Sequence, residues 1–323
     1  MLVRLLPVAA LLALPSCTTY FEDPADPVAL AAQIRERPGG RFTFAAAVTT
    51  AFAQNAELQA LAARARAAGA VTTPIEVQAE WRSERETLAV MLDPIALLGL
   101  GPRGGEIGTV EAEAGAAVQA LATARWRVTA AIAEAFAVHE ALAPLDVPDI
   151  TIDAAAFERA GLAGPVAAAR VRAAQARAGA EALELANARA ANLATLRELL
   201  GLHRDTPLEL ESPDEVQQPP AGDASLLQRP DLTLAAARFD VADAEFRRAV
   251  ADQYPSLMIG PEFALTGGPL AAMAVLRLPV GMHGRAAAAG DRREAARADL
   301  AAAYLAASRE AHEAQLDLTA ATA

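Results

Sequence analysis

Residues 226–265, LLQRPDLTLAAARFDVADAEFRRAVADQYPSLMIGPEFAL, read as one helix running straight into one strand. Pro230 and Asp231 suit a first helical turn, because an N–H missing there would be orphaned anyway and a carboxylate favours the positive end of the helix dipole. Leu232, Ala235, Phe239, Ala242, Phe246 and Val250 recur at steps of three and four, which makes one apolar stripe. Tyr254-Pro255 ends the helix. Beyond it the period drops to two, with Leu257, Ile259, Phe263 and Leu265 on one side, and Pro261 interrupts the ladder because it has no N–H to give.

A weaker copy of this unit lies in the first half. Phe42 to Ala70 reads as helix, with Asn55-Ala56-Glu57-Leu58 in the register of Arg229-Pro230-Asp231-Leu232 and Pro74 in the place of Pro255. From Ile75 to Arg82 apolar Ile75, Val77, Ala79 and Trp81 alternate with Glu76, Gln78, Glu80 and Arg82, the pattern of a barrel strand with one side toward lipid and the other toward a lumen; a half-buried strand of a soluble sheet has the same alternation. A second strand follows at about Thr87 to Leu97, and its VMLDPI (90–95) matches VLRLPV (275–280). Leu58 and Leu232 lie 174 residues apart, Pro74 and Pro255 lie 181, and Pro94 and Pro279 lie 185. A near-constant spacing means internal duplication, with the first entry helix about two turns shorter.

The intervening segments are helical or broken by proline. Gly104 to Leu142 predicts a long alanine-rich helix, and Pro144 and Pro148 break the helical pattern after it. Pro165 to Leu200 returns as helix, with Val166, Ala169, Ala173, Ala176, Ala180 and Leu183 at coiled-coil spacing and Arg170, Arg172, Arg177, Glu181 and Glu184 on a solvated face. Gly201 ends it, and Leu202 to Ser225, rich in proline, reads as a linker. A strand over Ala271 to Val280 leads into a last helix, in which Leu300, Tyr304, Ala307, Ala311, Ala314 and Leu318 keep heptad spacing to Ala323. By the 185-residue displacement that end is level with residue 138, so the second copy reads as incomplete, without a counterpart of 139–203.

Composition narrows the functional classes. Hydrophobic residues make up 54% of the 323 but aromatics only 4%, because alanine dominates; this favours long, closely spaced helices over a bulky core. The net charge of −12 argues against a nucleic-acid partner. The basic residues are all arginine. Residues 1–16 carry one early charge, Arg4, and then an apolar run too short to span a bilayer, which is a secretory signal pattern. The single cysteine, Cys17, follows Leu14-Pro15-Ser16, and residues 17–41 read as an extended tether.

Catalytic chemistry is not indicated. His139, His203, His283 and His312 do not pair at ligand spacing, so no metal site is expected. Gly99-Leu-Gly101 and Gly104-Gly105 have no following Lys-Ser/Thr and read as a turn. No carboxylate sits isolated in an apolar setting that would tune it for acid–base work, and no cofactor is implied.

The Arg229-Pro230-Asp231-Leu232 and Pro255-Ser256-Leu257 elements, with Asn55-Ala56-Glu57-Leu58 and AAIAEAFAVHEAL (130–142), resemble those of TolC-type outer-membrane efflux proteins. Leu14-Pro15-Ser16-Cys17 resembles the lipobox of bacterial lipoproteins, although Pro15 is off the usual pattern. The resemblance implies a mainly α protein of long antiparallel coiled-coil helices, an α-barrel, with four strands per chain. Three subunits would close a twelve-stranded transmembrane β-barrel. It implies a tandem repeat with the first copy over 42–203, a linker over 204–225 and the second copy over 226–323. It further implies lipid attachment at Cys17, an adaptor-docking tip at Gly161 and Leu162 within the Phe157–Leu162 element, and a lipid-facing strand of Ile75, Val77, Ala79 and Trp81. Partners would be two further copies, a periplasmic adaptor, an inner-membrane pump and outer-membrane lipid. Between the 104–142 helix and Phe157 the chain is shorter than that pattern by roughly a dozen residues. A non-channel, lipid-anchored periplasmic coiled-coil protein, or an inactive shortened member, is the alternative.

Overall fold

Asp26 accepts from the Val28 N–H and Pro27 fills the first helical position, so the residues after them form a helix, α1 (Pro27–Arg35), within the stretch expected to be a tether. The computed structural model describes residues 26–68, 75–82, 85–92, 101–147, 152–161, 164–211, 226–264, 271–279 and 283–322. Cys17, Leu162, Gly99 and Gly267-Gly268 lie outside them. After α1 come β1 (Gly40–Phe42), α2 (Phe44–Gln54) and α3 (Ala56–Ala68), then β2 (Ile75–Arg82) and β3 (Arg85–Leu92). Next are α4 (Gly101–Leu142), α5 (Ala154–Arg159), α6 (Pro165–Leu199) and β4 (Leu208–Leu210). The second half contributes α7 (Pro230–Ala251), β5 (Ser256–Ala264), β6 (Ala271–Arg277) and α8 (His283–Thr322).

The single helix expected over Phe42–Ala70 is broken at Asn55. Its backbone is extended, its Oδ1 accepts from the Leu58 N–H at 3.1 Å, and its amide donates to the Leu199 carbonyl at 3.0 Å. Asparagine therefore ends one helix, starts the next and ties both to α6. Arg229 is likewise extended, and α7 starts after it with proline in its first turn. Leu58 and Leu232, each in the first turn of its helix, are both buried.

The predicted linker also differs at its start. Leu208–Leu210 pairs parallel with Gly40–Phe42, and Leu202, Thr206 and Leu208 are buried. The reason lies at Gly201, whose φ is +67°. Its N–H bonds to Glu198 and the Leu202 N–H bonds back to Arg197, so the backbone turns left-handed and drives the chain under α2. A Cβ at Gly201 would stand 2.5 Å from the Gln54 carbonyl oxygen. The main apolar core sits here, where Phe42, Ala47, Ala51 and Leu58 meet Val128, Ile132 and Phe136 of α4 and Leu196, Leu200 and Leu208. Phe44 meets Phe136 edge-on, with 6.0 Å between centroids.

At 42 residues, α4 is about 63 Å long and serves as the spine. Its first half packs on α3 and α7, and its second half on α2 and α6; α7 in turn packs on α8. Gly104 and Gly105 lie inside α4, not in a turn. Gly105 is where α7 crosses, since a Cβ there would come within 2.8 Å of Arg248 Cα. The four longer strands form one antiparallel sheet in the order β2-β3-β5-β6. The β3–β5 pairing runs Thr87–Ala89 against Glu262–Ala264 and resumes at Leu92 with Ile259, on the far side of Pro261.

Two expected seams are rotated. In α6, Val166, Ala169, Ala173, Ala176, Ala180 and Leu183 are exposed, while Ala168 and Leu196 are buried. Side-chain period alone cannot say which of two alanine-rich stripes meets the partner. In α8, Ala307 is buried and Leu300 and Ala311 partly so, whereas Tyr304, Ala314 and Leu318 are exposed. Residues 143–147, with Pro144, are not helical, and Arg189 of α6 gathers the carbonyls of Leu142, Ala143 and Leu145. Between α4 and α5 the described chain runs beside α6: Gln175 donates to the Ile152 carbonyl at 2.8 Å.

Candidate functional site

The sheet has two distinct faces, and its register defines them. Ile75, Val77 and Ala79 pair with Leu92, Val90 and Leu88; Leu92 and Leu88 pair with Ile259 and Phe263; Leu257 and Ile259 pair with Leu276 and Ala274. Paired positions share a side of an antiparallel sheet, so these form one set. The other set holds Glu76, Gln78, Glu80, Thr87, Met258, Glu262 and Val275. Where burial is described, the apolar set is the outward one: Leu257 is 37% and Leu276 60% exposed, while Met258 between them is buried. By register Ile75, Val77 and Ala79 belong to the set that holds Leu257 and Leu276, whereas Trp81 pairs with Glu86. An outward apolar band such as that of Leu257, Ile259 and Leu276 is the inverse of what a soluble sheet presents to water.

Both edges of the sheet, β2 and β6, lack a partner strand among the described residues. The helices next to it repeat its order. The strands β2, β3, β5 and β6 adjoin α3, α4, α7 and α8 in sequence, and the packed helix pairs are α3–α4, α4–α7 and α7–α8. Sheet and helix row are therefore one curtain with two free sides.

At the middle of the curtain Arg229 joins three helices. Its guanidinium bonds both Asp231 oxygens, at 3.1 and 2.8 Å, and Glu310 of α8 at 2.8 Å, and it stacks 5.3 Å over the Trp126 ring of α4. The Thr123 hydroxyl of α4 donates to the Pro230 carbonyl at 2.7 Å. The hydrogen bonds from Arg229 hold the Asp231 carboxyl below its ordinary range, and those to Asp231 and Glu310 raise the guanidinium further, so the pair is ionised at any physiological pH. The motif was legible in sequence as a helix start; its role as a junction was not, because Trp126 and Glu310 are remote in the chain.

Nearer the sheet, α4 and α7 line a groove of about 1000 Å³ with Glu111, Asp240 and Asp243 on its walls. Asp243 is held between Arg247 and Arg293. At the opposite end, Gly161 has φ +69° and is exposed, and α5 is fixed to α6 by Arg172–Glu158 at 3.6 Å. Among the described residues no cluster of three or more His, Cys, Asp or Glu can hold a metal, and no helix is long and apolar enough to cross a membrane. The latter has no bearing on a β-barrel.

No family model and no curated protein matches the sequence. Solved structures do match the fold. CusC is 14% identical with a TM-score of 0.62, covering 85% of this chain and 76% of its own. The Vibrio cholerae outer membrane protein VceC is 20% identical with a TM-score of 0.60, covering 87% and 79%. The Campylobacter jejuni outer membrane channel CmeC is 14% identical with a TM-score of 0.62, covering 90% and 76%. Among the described residues, long packed helices with one four-stranded sheet are thus the fold shared with these solved structures, as the sequence resemblance led one to expect.

Proposed function

We propose that this chain is the outer-membrane channel component of a tripartite efflux or secretion system, a passive duct for small molecules with no turnover of its own. The observation that carries the reading is the sheet, with Leu257, Ile259 and Leu276 exposed on one side and, among the described residues, two unpaired edges. Lipid tolerates strands only when no edge is left open, so the β6 edge of one copy pairs with the β2 edge of the next until the ring closes. Three copies give twelve strands. In that ring Ile75, Val77, Ala79 and Trp81 face lipid, and the helix rows continue the wall into the periplasm. CusC, VceC and CmeC, described as a transmembrane channel, an outer membrane protein and an outer membrane channel, support the same reading.

The finer assignments extend it. Residues 1–16 are removed as a signal, and lipid on Cys17 anchors the chain to the outer membrane. The two copies of one unit span 42–203 and 226–323, with 204–225 joining them. The tip at Gly161 and Leu162 meets a periplasmic adaptor, which links the duct to an inner-membrane pump. A non-channel coiled-coil protein in the periplasm has no use for an outward apolar sheet. Purified protein reconstituted in planar bilayers is expected to give stepwise ion conductance without nucleotide. Absence of conductance from protein that remains outside the outer-membrane fraction would overturn the reading.

A further inference from the structure

The first helix has no apolar hold on the body of the protein. None of the nine residues of α1 is buried, and Val28 and Leu30 are exposed. A helix of that length is marginal in water unless packing supports it. What α1 brings to the body is charge. Arg35 in its last turn and Arg37 just past its end line a pocket of about 500 Å³ together with His203, Asp205, Thr206 and Pro207.

The wall opposite α1 is held rigidly. The Gly40 N–H donates to the Pro207 carbonyl at 3.0 Å, and Arg197 Nε donates to the Thr206 carbonyl at 2.8 Å. Gly39 lies so close to this turn that a Cβ there would stand 2.6 Å from the Thr206 side chain. Arg37 is equally fixed, because its Nη1 donates to the carbonyls of Gln54 and Gly201 at the ends of α2 and α6. That leaves Nε and Nη2 without a hydrogen bond among the described residues. Those two nitrogens form the edge by which a guanidinium grips an oxyanion side-on.

The charges around the pocket do not cancel. Asp205 is the carboxylate among the lining residues; it pairs with Arg204 at 3.6 Å and lies 3.3 Å from His203 Nδ1. Neither Arg35 nor Arg37 has a carboxylate partner among the described residues, whereas Arg41, Arg172 and Arg229 each reach an acid on another element. In a chain of net charge −12, two uncompensated guanidinium groups on one small pocket make a local positive field that favours an anion.

We propose that this pocket binds a phosphate group, gripped by Arg37 and met from α1 by Arg35, and that the bound group fixes α1 to the body. Phosphate suits the pair better than chloride, which has no second oxygen for the guanidinium edge, and better than a carboxylate, which has too few oxygens for two arginines at once. The site is independent of the channel reading.

The test is hydrogen exchange of the full-length protein in mild detergent, in potassium phosphate against potassium chloride of equal ionic strength. Phosphate should slow exchange at the α1 amides in a saturable way, and chloride should not. Arg35→Gln should abolish the slowing. Arg37→Lys, which keeps the charge but lacks the two-nitrogen edge, should weaken phosphate by about tenfold or more. Arg41→Gln removes the same charge outside the pocket and should leave the response intact. Slowing by inorganic phosphate assigns a free anion; slowing found only in phosphatidylglycerol vesicles, relative to phosphatidylcholine, assigns a lipid headgroup. Slowing in neither, slowing that survives Arg35→Gln, or equal loss with Arg41→Gln would overturn the site.

Discussion

The two halves of this chain hold the start of a matching helix, α3 after Asn55 and α7 after Arg229, by different physics. In the first half the junction at Asn55 lies against a buried apolar cluster, in which Ile132, Leu196 and Leu200 are fully enclosed. In the second, the junction at Arg229 is a charged hub, and α7 and α8 are joined by Arg229–Glu310, Arg292–Glu245 and Arg293–Asp243, with Arg293 and Arg297 stacked on Phe239. Where a returning helix, α6, covers the junction, apolar side chains are worth burying. Where α7 and α8 meet beside open surface, long arginine stems do the packing and their guanidinium groups pair with carboxylates across the two helices.

Substitutions at the two junctions separate these contributions. The largest effect belongs to the core: Leu196→Ala should cost about 2–5 kcal/mol, read as a lowered thermal midpoint of the helical circular dichroism signal. A loss under about 1 kcal/mol would mean the first half is not organised around that cluster. Gly201→Ala should come next, at about 2 kcal/mol or more, because the left-handed backbone and the close Gln54 carbonyl both oppose a Cβ; Gly161→Ala, with open space around it, should show only the backbone part. Arg229→Ala should cost about 1.5–3 kcal/mol, since it strands Asp231 and removes the stack on Trp126. Glu310→Gln alone should cost less than about 1 kcal/mol, its partner contact being half-exposed.

The smallest effect is a pH dependence. The folded-state pKa of Asp231 is depressed by Arg229, so its contribution is complete above the ordinary carboxylate value and fades as pH falls through the lower folded value. The stability difference between the protein and Asp231→Asn should therefore hold constant from pH 8 to about 5 and shrink below about 4. A difference that instead shrank as pH rose toward 8 would show that another group controls the junction.

Sequence reading located the elements better than their contacts. The strand Ile75–Arg82 was legible to the residue because alternation is a local signal, and Pro230 and Pro165 marked helix starts because proline acts on its own turn. The break at Asn55 was hidden inside a continuous alanine-rich run: the cap on the Leu58 N–H is local, but the bond to the Leu199 carbonyl that fixes the break against α6 joins residues far apart in the chain. The α6 seam was rotated for a related reason: alanine on every side leaves periodicity without a bulky residue to mark the buried stripe. Sheet pairing between β3 and β5, and the meeting of Trp126, Arg229 and Glu310, depend on residues far apart in the chain and leave no local trace.

In the proposed channel one chain supplies one sector of a closed ring. Native mass of the protein extracted in mild detergent from outer membranes tests it most directly. Three copies per particle, falling to single chains on heating, is the predicted result; a single copy in unheated extract would contradict it.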